Sequence, residues 1–300
     1  MPEIDNRLVL IYERLLNAIG PQSWWPAEDD FEMVVGAILT QSTAWVNVEK
    51  AISNLKRRGL LSPAALEDAP VETVAETIRP SGYFNVKARK LKSFCSHLEL
   101  HHAGGLDSLF HVKLPELREE LLGIWGVGAE TADSIVLYGA RQPIFVVDAY
   151  TRRIFARLGL VRPEAGYDEM QGLFAEGLSP SVGLFQEYHA LIVALGKDIC
   201  RPTPICDRCP LLDLCRYGAD SLSAQPSAPR SSPASSGRVK RKVVVLPISL
   251  STQILPPWAS TSPLAMYSPS PKPGTLLASA SRARLNRLKI ASRSSCGRKM

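Results

Sequence analysis

Leu122-Gly123-Ile124-Trp125-Gly126-Val127-Gly128-Ala129-Glu130-Thr131-Ala132 joins two helical patterns through a short glycine-rich turn. Gly126 and Gly128 permit a tight bend and close approach to the backbone. The helix that starts at Ala129 begins with amides that have no partner inside the helix, and its N-terminus carries partial positive charge. Such a turn can hold a phosphate with amides alone. An ordinary helix-to-helix connection accounts for a lone Gly-Val-Gly equally well, so the stretch by itself leaves both readings open.

Working outward, apolar residues recur at helical spacing on both sides. Leu8, Ile11, Tyr12, Leu15, Leu16 and Ile19 mark a helix over 5–19, stopped by Gly20-Pro21. The same periodicity predicts helices over 31–39, 46–57, 63–67, 71–78, 87–100, 115–122, 129–140, 149–158, 169–178 and 182–199. Strand-like alternation is missing, and only 143–147 reads as a short strand. The expected fold class is therefore all-α. Pro143-Ile144-Phe145-Val146-Val147 runs into Asp148-Ala149-Tyr150-Thr151. An acid after an apolar stretch, at the start of a helix, is accounted for by capping alone.

The net charge of +6 is unevenly placed. Residues 1–218 carry 22 Lys and Arg against 28 Asp and Glu, and residues 219–300 carry 13 against one. The basic balance belongs to the tail, so any nucleic-acid contact by the body would have to rest on local patches and backbone amides. The tail is rich in Ser and Pro, as in Gln225-Pro226-Ser227-Ala228-Pro229, and is expected to be disordered over 219–300. No apolar run approaches the ~20 residues of a membrane span, and no secretory signal opens the chain. The expectation is an intracellular protein of the cytoplasm or nucleoid.

Four of the six cysteines, Cys200, Cys206, Cys209 and Cys215, fall within sixteen residues. In an intracellular chain such a cluster reads as a metal site, either tetrahedral zinc or a [4Fe–4S] cluster. Zinc sites usually come as two short pairs, which the single Cys-x2-Cys here fits poorly.

The combination of hairpin, downstream loop and Asp148 over 114–158 resembles the helix-hairpin-helix DNA glycosylases related to endonuclease III. The resemblance extends from about residue 5 to residue 215. It implies two helical lobes, one of residues 24–134 with the hairpin, the other of 1–23 and 135–218 with an iron–sulfur loop. Duplex DNA containing a damaged base would lie across the cleft, bound by a monomer. Asp148 matches the catalytic aspartate. In the bifunctional branch a lysine two residues after the last hairpin glycine attacks the sugar; here that position is Glu130, and a carboxylate cannot form a Schiff base. The resemblance thus implies hydrolysis without strand cleavage.

Trp24-Trp25-Pro26 with Trp45 is similar to the 3-methyladenine DNA glycosylase III subgroup, where aromatic rings receive the flipped base. Carried over, Trp24, Pro26 and Trp45 line the base pocket, Trp25 faces the core, and Glu130 sits at the pocket mouth. Gln41 matches the wedge residue and Tyr83 the plugging side chain. Lys87, Arg89, Lys90 and Lys92 are expected at the DNA backbone, as are Gly126, Gly128 and Thr131. The four cysteines match the cluster ligands, although the family has six residues in the first gap and this chain has five. The alternatives are a bifunctional glycosylase and AP lyase, or a non-catalytic module that binds DNA damage.

Overall fold

The computed structural model describes residues 2–223, with side chains described over residues 6–220. The helices run in the order α1 (Pro2–Ile19), α2 (Asp30–Leu39), α3 (Trp45–Arg57), α4 (Pro63–Asp68), α5 (Val71–Thr77), α6 (Phe84–His102) and α7 (Leu106–Phe110). After these come α8 (Leu114–Gly123), α9 (Ala129–Ser134), α10 (Ala149–Leu158), α11 (Tyr167–Gly177), α12 (Val182–Asp198) and α13 (Arg216–Ser223). No strand occurs among the described residues, so the all-α expectation holds. Residues 143–147 form an irregular segment, buried from Ile144 onward, in place of the possible strand.

Local chemistry explains most boundaries. Gly20, with φ +83°, ends α1. Asp29, Ser62, Asp148 and Ser181 cap the helices that follow them, each accepting a hydrogen bond from a first-turn amide. α2 is buried from Phe31 through Leu39, and its neighbours α3, α6 and α9 surround it. α6 also packs on α4, α5 and α7. A second group forms where α1 meets α11 and α12, and where α10 meets α12 and α13. Its core is aromatic: the Phe145 and Phe174 rings stack 3.6 Å apart, with Phe155, Phe185 and Tyr188 fully buried around them. Each such side chain contributes roughly 1.5–3 kcal/mol relative to exposure.

Two expectations are corrected. The single helix predicted over 129–140 changes pitch after Ser134. Residues Ile135–Gly139 form a π-helical turn, closed by the Ala140 amide donating to the Ile135 carbonyl at 3.0 Å. Such wide turns inside helices often mark functional sites, and this one touches α2, α8, α9 and α12. The expected tail boundary at residue 219 falls inside α13, which is held to α10 partly by the Arg157 guanidinium, 4.8 Å above the Tyr217 ring. The rest of the expected tail, from residue 224, lies outside the described residues.

Candidate active site and DNA-facing surface

In the hairpin, Gly126 has φ +90°, and a Cβ there would collide with the Lys90 side chain. Gly128 has an ordinary extended backbone, and a Cβ would meet nothing. Glycine at 128 is therefore not required by the packing around it. Gly128 caps α9 without a side-chain hydrogen bond, so the first amides of α9 have no side-chain acceptor.

The loop residues expected at DNA divide into two sets. Tyr83 projects, 73% exposed, from a left-handed turn beside Gly82. Gln41 does not project: its Nε2 donates to Thr131 Oγ1 at 2.9 Å and to the Gly126 carbonyl at 3.3 Å, and Lys90 Nζ donates to its Oε1. Thr131 is buried by the same contact, so its side chain faces inward.

Lys87 is a clear correction. It is 2% exposed, and its Nζ donates to the carbonyls of Leu39 at 2.9 Å and Ser81 at 2.6 Å. Burial, helped by Lys90, pulls its ammonium down to about 8. The first turn of α6 points this side chain into the protein, where it ties together the segments leading to Gln41 and Tyr83. Lys92 likewise donates to the carbonyls of Leu66, Glu67 and Ala69. Of the four basic residues expected at the DNA backbone, Arg89 has its guanidinium over the ring of Trp125, which is 54% exposed in the hairpin. Sequence reasoning missed Trp125, although its place between two hairpin glycines was a signal.

Asp148 is the N-cap of α10 and is only 9% exposed. Its Oδ1 accepts from the Thr151 amide at 2.7 Å and the Thr151 hydroxyl at 2.8 Å. Its Oδ2 lies 3.8 Å from His189 Nε2. His189, on α12, is buried, and its Nδ1 is 2.8 Å from the Tyr138 hydroxyl, while Nε2 has no hydrogen-bond partner. Burial lowers the pKa of His189 against the opposing pull of Asp148, which favours the neutral ring. The Tyr138 hydroxyl also donates to the Gln186 carbonyl at 3.2 Å, so it links α12 to the π-helical turn at this point. Neither Tyr138 nor His189 was read from the sequence.

The tryptophans assemble beside this pair. Trp24 stacks on Trp25 at 5.6 Å and on His189 at 5.9 Å, with interplanar angles of 15° and 11°. Trp25 meets Trp45 edge-on at 5.5 Å and Tyr138 at 5.2 Å. The indole edge of Trp25 lies over Gly36, where a Cβ would come within 3.1 Å of Nε1. Trp25 thus packs inward, as expected, and offers one ring face to Trp24. Trp45 opens α3 and donates Nε1–H to Glu49 Oε1 at 3.0 Å, while Pro26 is exposed. Glu130 has much of its surface in solvent, yet the surrounding protein and the charge of Asp148 push its carboxyl up to about 7, with Arg152 opposing.

The four clustered cysteines line one narrow cavity with Arg157, Ile199, Pro204 and Leu212. Arg157 Nη1 donates to Cys200 Sγ at 3.2 Å, and Cys215 Sγ donates to the Arg157 carbonyl at 3.4 Å. Burial pushes the Cys209 thiol up to about 11 and raises that of Cys206 as well.

Residues 35–180 match the HhH-GPD superfamily of base excision DNA repair proteins. A candidate DNA repair glycosylase of Methanocaldococcus jannaschii is 45% identical over 207 residues, covering 68% of this chain and 94% of that protein. An endonuclease III of Sulfolobus acidocaldarius is 30% identical over 194 residues, covering 64% and 84%. The crystal structure of H. pylori 3-methyladenine DNA glycosylase (MagIII), bound to 1,N6-ethenoadenine, has a TM-score of 0.55 at 29% identity, covering 65% and 96%. This chain belongs to the HhH-GPD superfamily, the helix-hairpin-helix DNA glycosylases of base excision repair. Within that class it is an endonuclease III-related protein with a 3-methyladenine glycosylase among its structural neighbours.

Proposed function

We propose that the protein hydrolyses the N-glycosidic bond of a flipped, alkylated base in duplex DNA and leaves the strand intact. The observation that carries this is the placement of Asp148. One carboxylate oxygen is pinned by Thr151 and the other faces His189, beside a stack of tryptophans.

Departure of the base leaves an oxocarbenium-like sugar. An ionised Asp148 held close by stabilises that charge and can take a proton from the attacking water. The Thr151 contacts fix the carboxylate, so little reorganisation is needed as charge develops. His189 Nε2, buried without a hydrogen-bond partner and 3.8 Å from Asp148 Oδ2, is placed to contact that oxygen or the water beside it. A base made cationic by alkylation is a good leaving group, and the electron-rich faces of Trp24 and Trp45 favour it. Trp24 lies between Trp25 and His189, so a base entering this stack must displace it. Glu130 stands where the bifunctional branch carries its lysine, so no amine is offered to C1′ from that position.

For the DNA contact, the open amides of α9 take a phosphate, Tyr83 fills the gap left by the flipped base, and Gln41 leaves its contact with Thr131 to act as wedge. Cys200, Cys206, Cys209 and Cys215 would hold a [4Fe–4S] cluster. When bound, it supplies a rigid fold for the loop. The protein acts as a monomer on DNA in the cell interior, and no helix among the described residues is long and apolar enough to cross a membrane.

The test pairs two assays on DNA treated with a methylating agent. The proposal expects free 3-methyladenine and no covalent product on borohydride treatment. A trapped protein–DNA adduct would assign the lyase reading. Tight binding to damaged duplex without base release from any lesion would assign the non-catalytic one.

A further inference from the structure

His97 and His102, near the end of α6, converge with Glu120 of α8, outside the residues assigned above to the active site and the cysteine loop. Among the described residues, these three form the group whose ligand atoms all lie within 4.8 Å of one another. His97 Nε2 is 2.7 Å and His102 Nε2 is 2.5 Å from the same atom, Glu120 Oε1. All three side chains are sheltered, with exposures of 18%, 9% and 25% in that order.

His102 has a close partner at each ring nitrogen. Its Nδ1 is 2.7 Å from Ser108 Oγ, and the Ser108 hydroxyl donates to the His102 carbonyl at 3.4 Å. With the Ser108 hydroxyl turned to this carbonyl, Ser108 Oγ accepts from Nδ1, and Nδ1 carries the ring proton. In the neutral ring Nε2 is then a bare lone pair aimed at a carboxylate oxygen. Two lone pairs at 2.5 Å repel unless a cation lies between them. That cation is either a second proton on the ring or a metal ion.

We propose that His97 Nε2, His102 Nε2 and Glu120 bind a divalent zinc-like ion. Two imidazoles and a carboxylate form a His2Glu set of the kind that binds zinc with a fourth position open. Ser108 supplies the outer hydrogen bond that ligating histidines commonly have, and it presents Nε2 to the metal. With Zn–N and Zn–O bonds of roughly 2.0–2.2 Å, small outward movements of the rings make room for the ion. His101 is exposed, with its ring 4.6 Å from that of His97, and stands at the rim as a fourth donor in place of water.

The ion would join α6 to α8. α6 carries Lys90, which holds Gln41, and α8 leads directly into the hairpin. The site therefore links metal availability to the rigidity of the DNA-facing lobe, independently of which base is removed.

The test is calorimetric titration of Zn2+ into the untagged, cluster-loaded full chain, with Co2+ absorption as a second readout. The proposal expects one zinc per chain with a rise in Tm, and cobalt bands without thiolate charge transfer. Ser108→Ala should weaken binding about 10–100-fold, the usual effect of losing an outer-shell partner. His102→Ala and Glu120→Gln should weaken it at least as much, with far-UV circular dichroism verifying the fold. Zinc binding unchanged in all three variants would place the metal elsewhere, at the clustered thiols or Cys296, and overturn the proposal. So would no zinc uptake together with a Tm that falls as the imidazoles lose their protons, which would make the triad an ion pair.

Discussion

Replacing Asp133 by alanine should loosen the hairpin from the rest of the protein. Asp133, on α9, is fully buried. It accepts from Arg118 Nε of α8 at 2.7 Å and from Tyr167 Oη and Gln171 Nε2 of α11 at 2.8 and 2.7 Å. The variant leaves one guanidinium and two neutral donors without their shared acceptor. Breaking a buried charge pair costs about 3–5 kcal/mol, and each stranded neutral donor adds about 1–3. Arg118 is 24% exposed and lies 3.7 Å from Asp168, so it recovers part of that loss through solvent and the second carboxylate. A net loss of about 3–5 kcal/mol follows. For a body of this size it lowers Tm by roughly 6–20 °C, at about 2–4 °C per kcal/mol. The assay is thermal unfolding of the cluster-loaded proteins at one scan rate, followed by far-UV circular dichroism. Asp133→Asn, which keeps one acceptor oxygen, should fall between. A drop of less than ~2 °C in the alanine variant would refute the view that this network anchors α9.

Lys87→Met keeps the buried stem and removes both donors, leaving the carbonyls of Leu39 and Ser81 unpaired. Stability should fall by about 2–4 kcal/mol, with weaker binding to a duplex containing an abasic analogue, read by fluorescence anisotropy. Unchanged DNA affinity would mean that the two loops do not depend on this lysine. Gly126→Ala places a Cβ at φ +90° against Lys90, and should lower stability by about 1–3 kcal/mol while freeing Gln41 from Lys90. Wild-type stability would refute the conformational argument. Glu130 has a folded-state pKa raised from 4.5 to about 7, so the folded protein binds this proton more tightly than the unfolded chain. That contribution is fully present below about 4.5 and is lost as pH rises through about 7. Glu130→Gln should therefore flatten the decline of Tm between those pH values, and identical slopes would contradict the shift.

The helices and the hairpin were legible because each is written locally, in apolar spacing, caps and glycines. Asp148 was legible as a cap, and the role proposed for it rests on the pattern around it. His189 and Tyr138 were not, because they reach the site from elements 51 residues apart and neither sits in a local motif. Lys87 was misread for a related reason. A basic run shows charge but not direction, and the inward aim of this side chain is set by the segments that α6 packs beneath. The π turn was hidden as well, since Ile135 to Gly139 keeps an apolar pattern that suits an ordinary helix.

The central claim is that Asp148 removes a base by hydrolysis. The most direct measurement is release of 3-methyladenine from methylated duplex, compared between the wild type and Asp148→Asn. The variant keeps an oxygen for Thr151 and loses the negative charge. The account predicts release by the wild type with an uncut strand, and a loss of at least ~100-fold in the variant. Equal rates in the two proteins would contradict it.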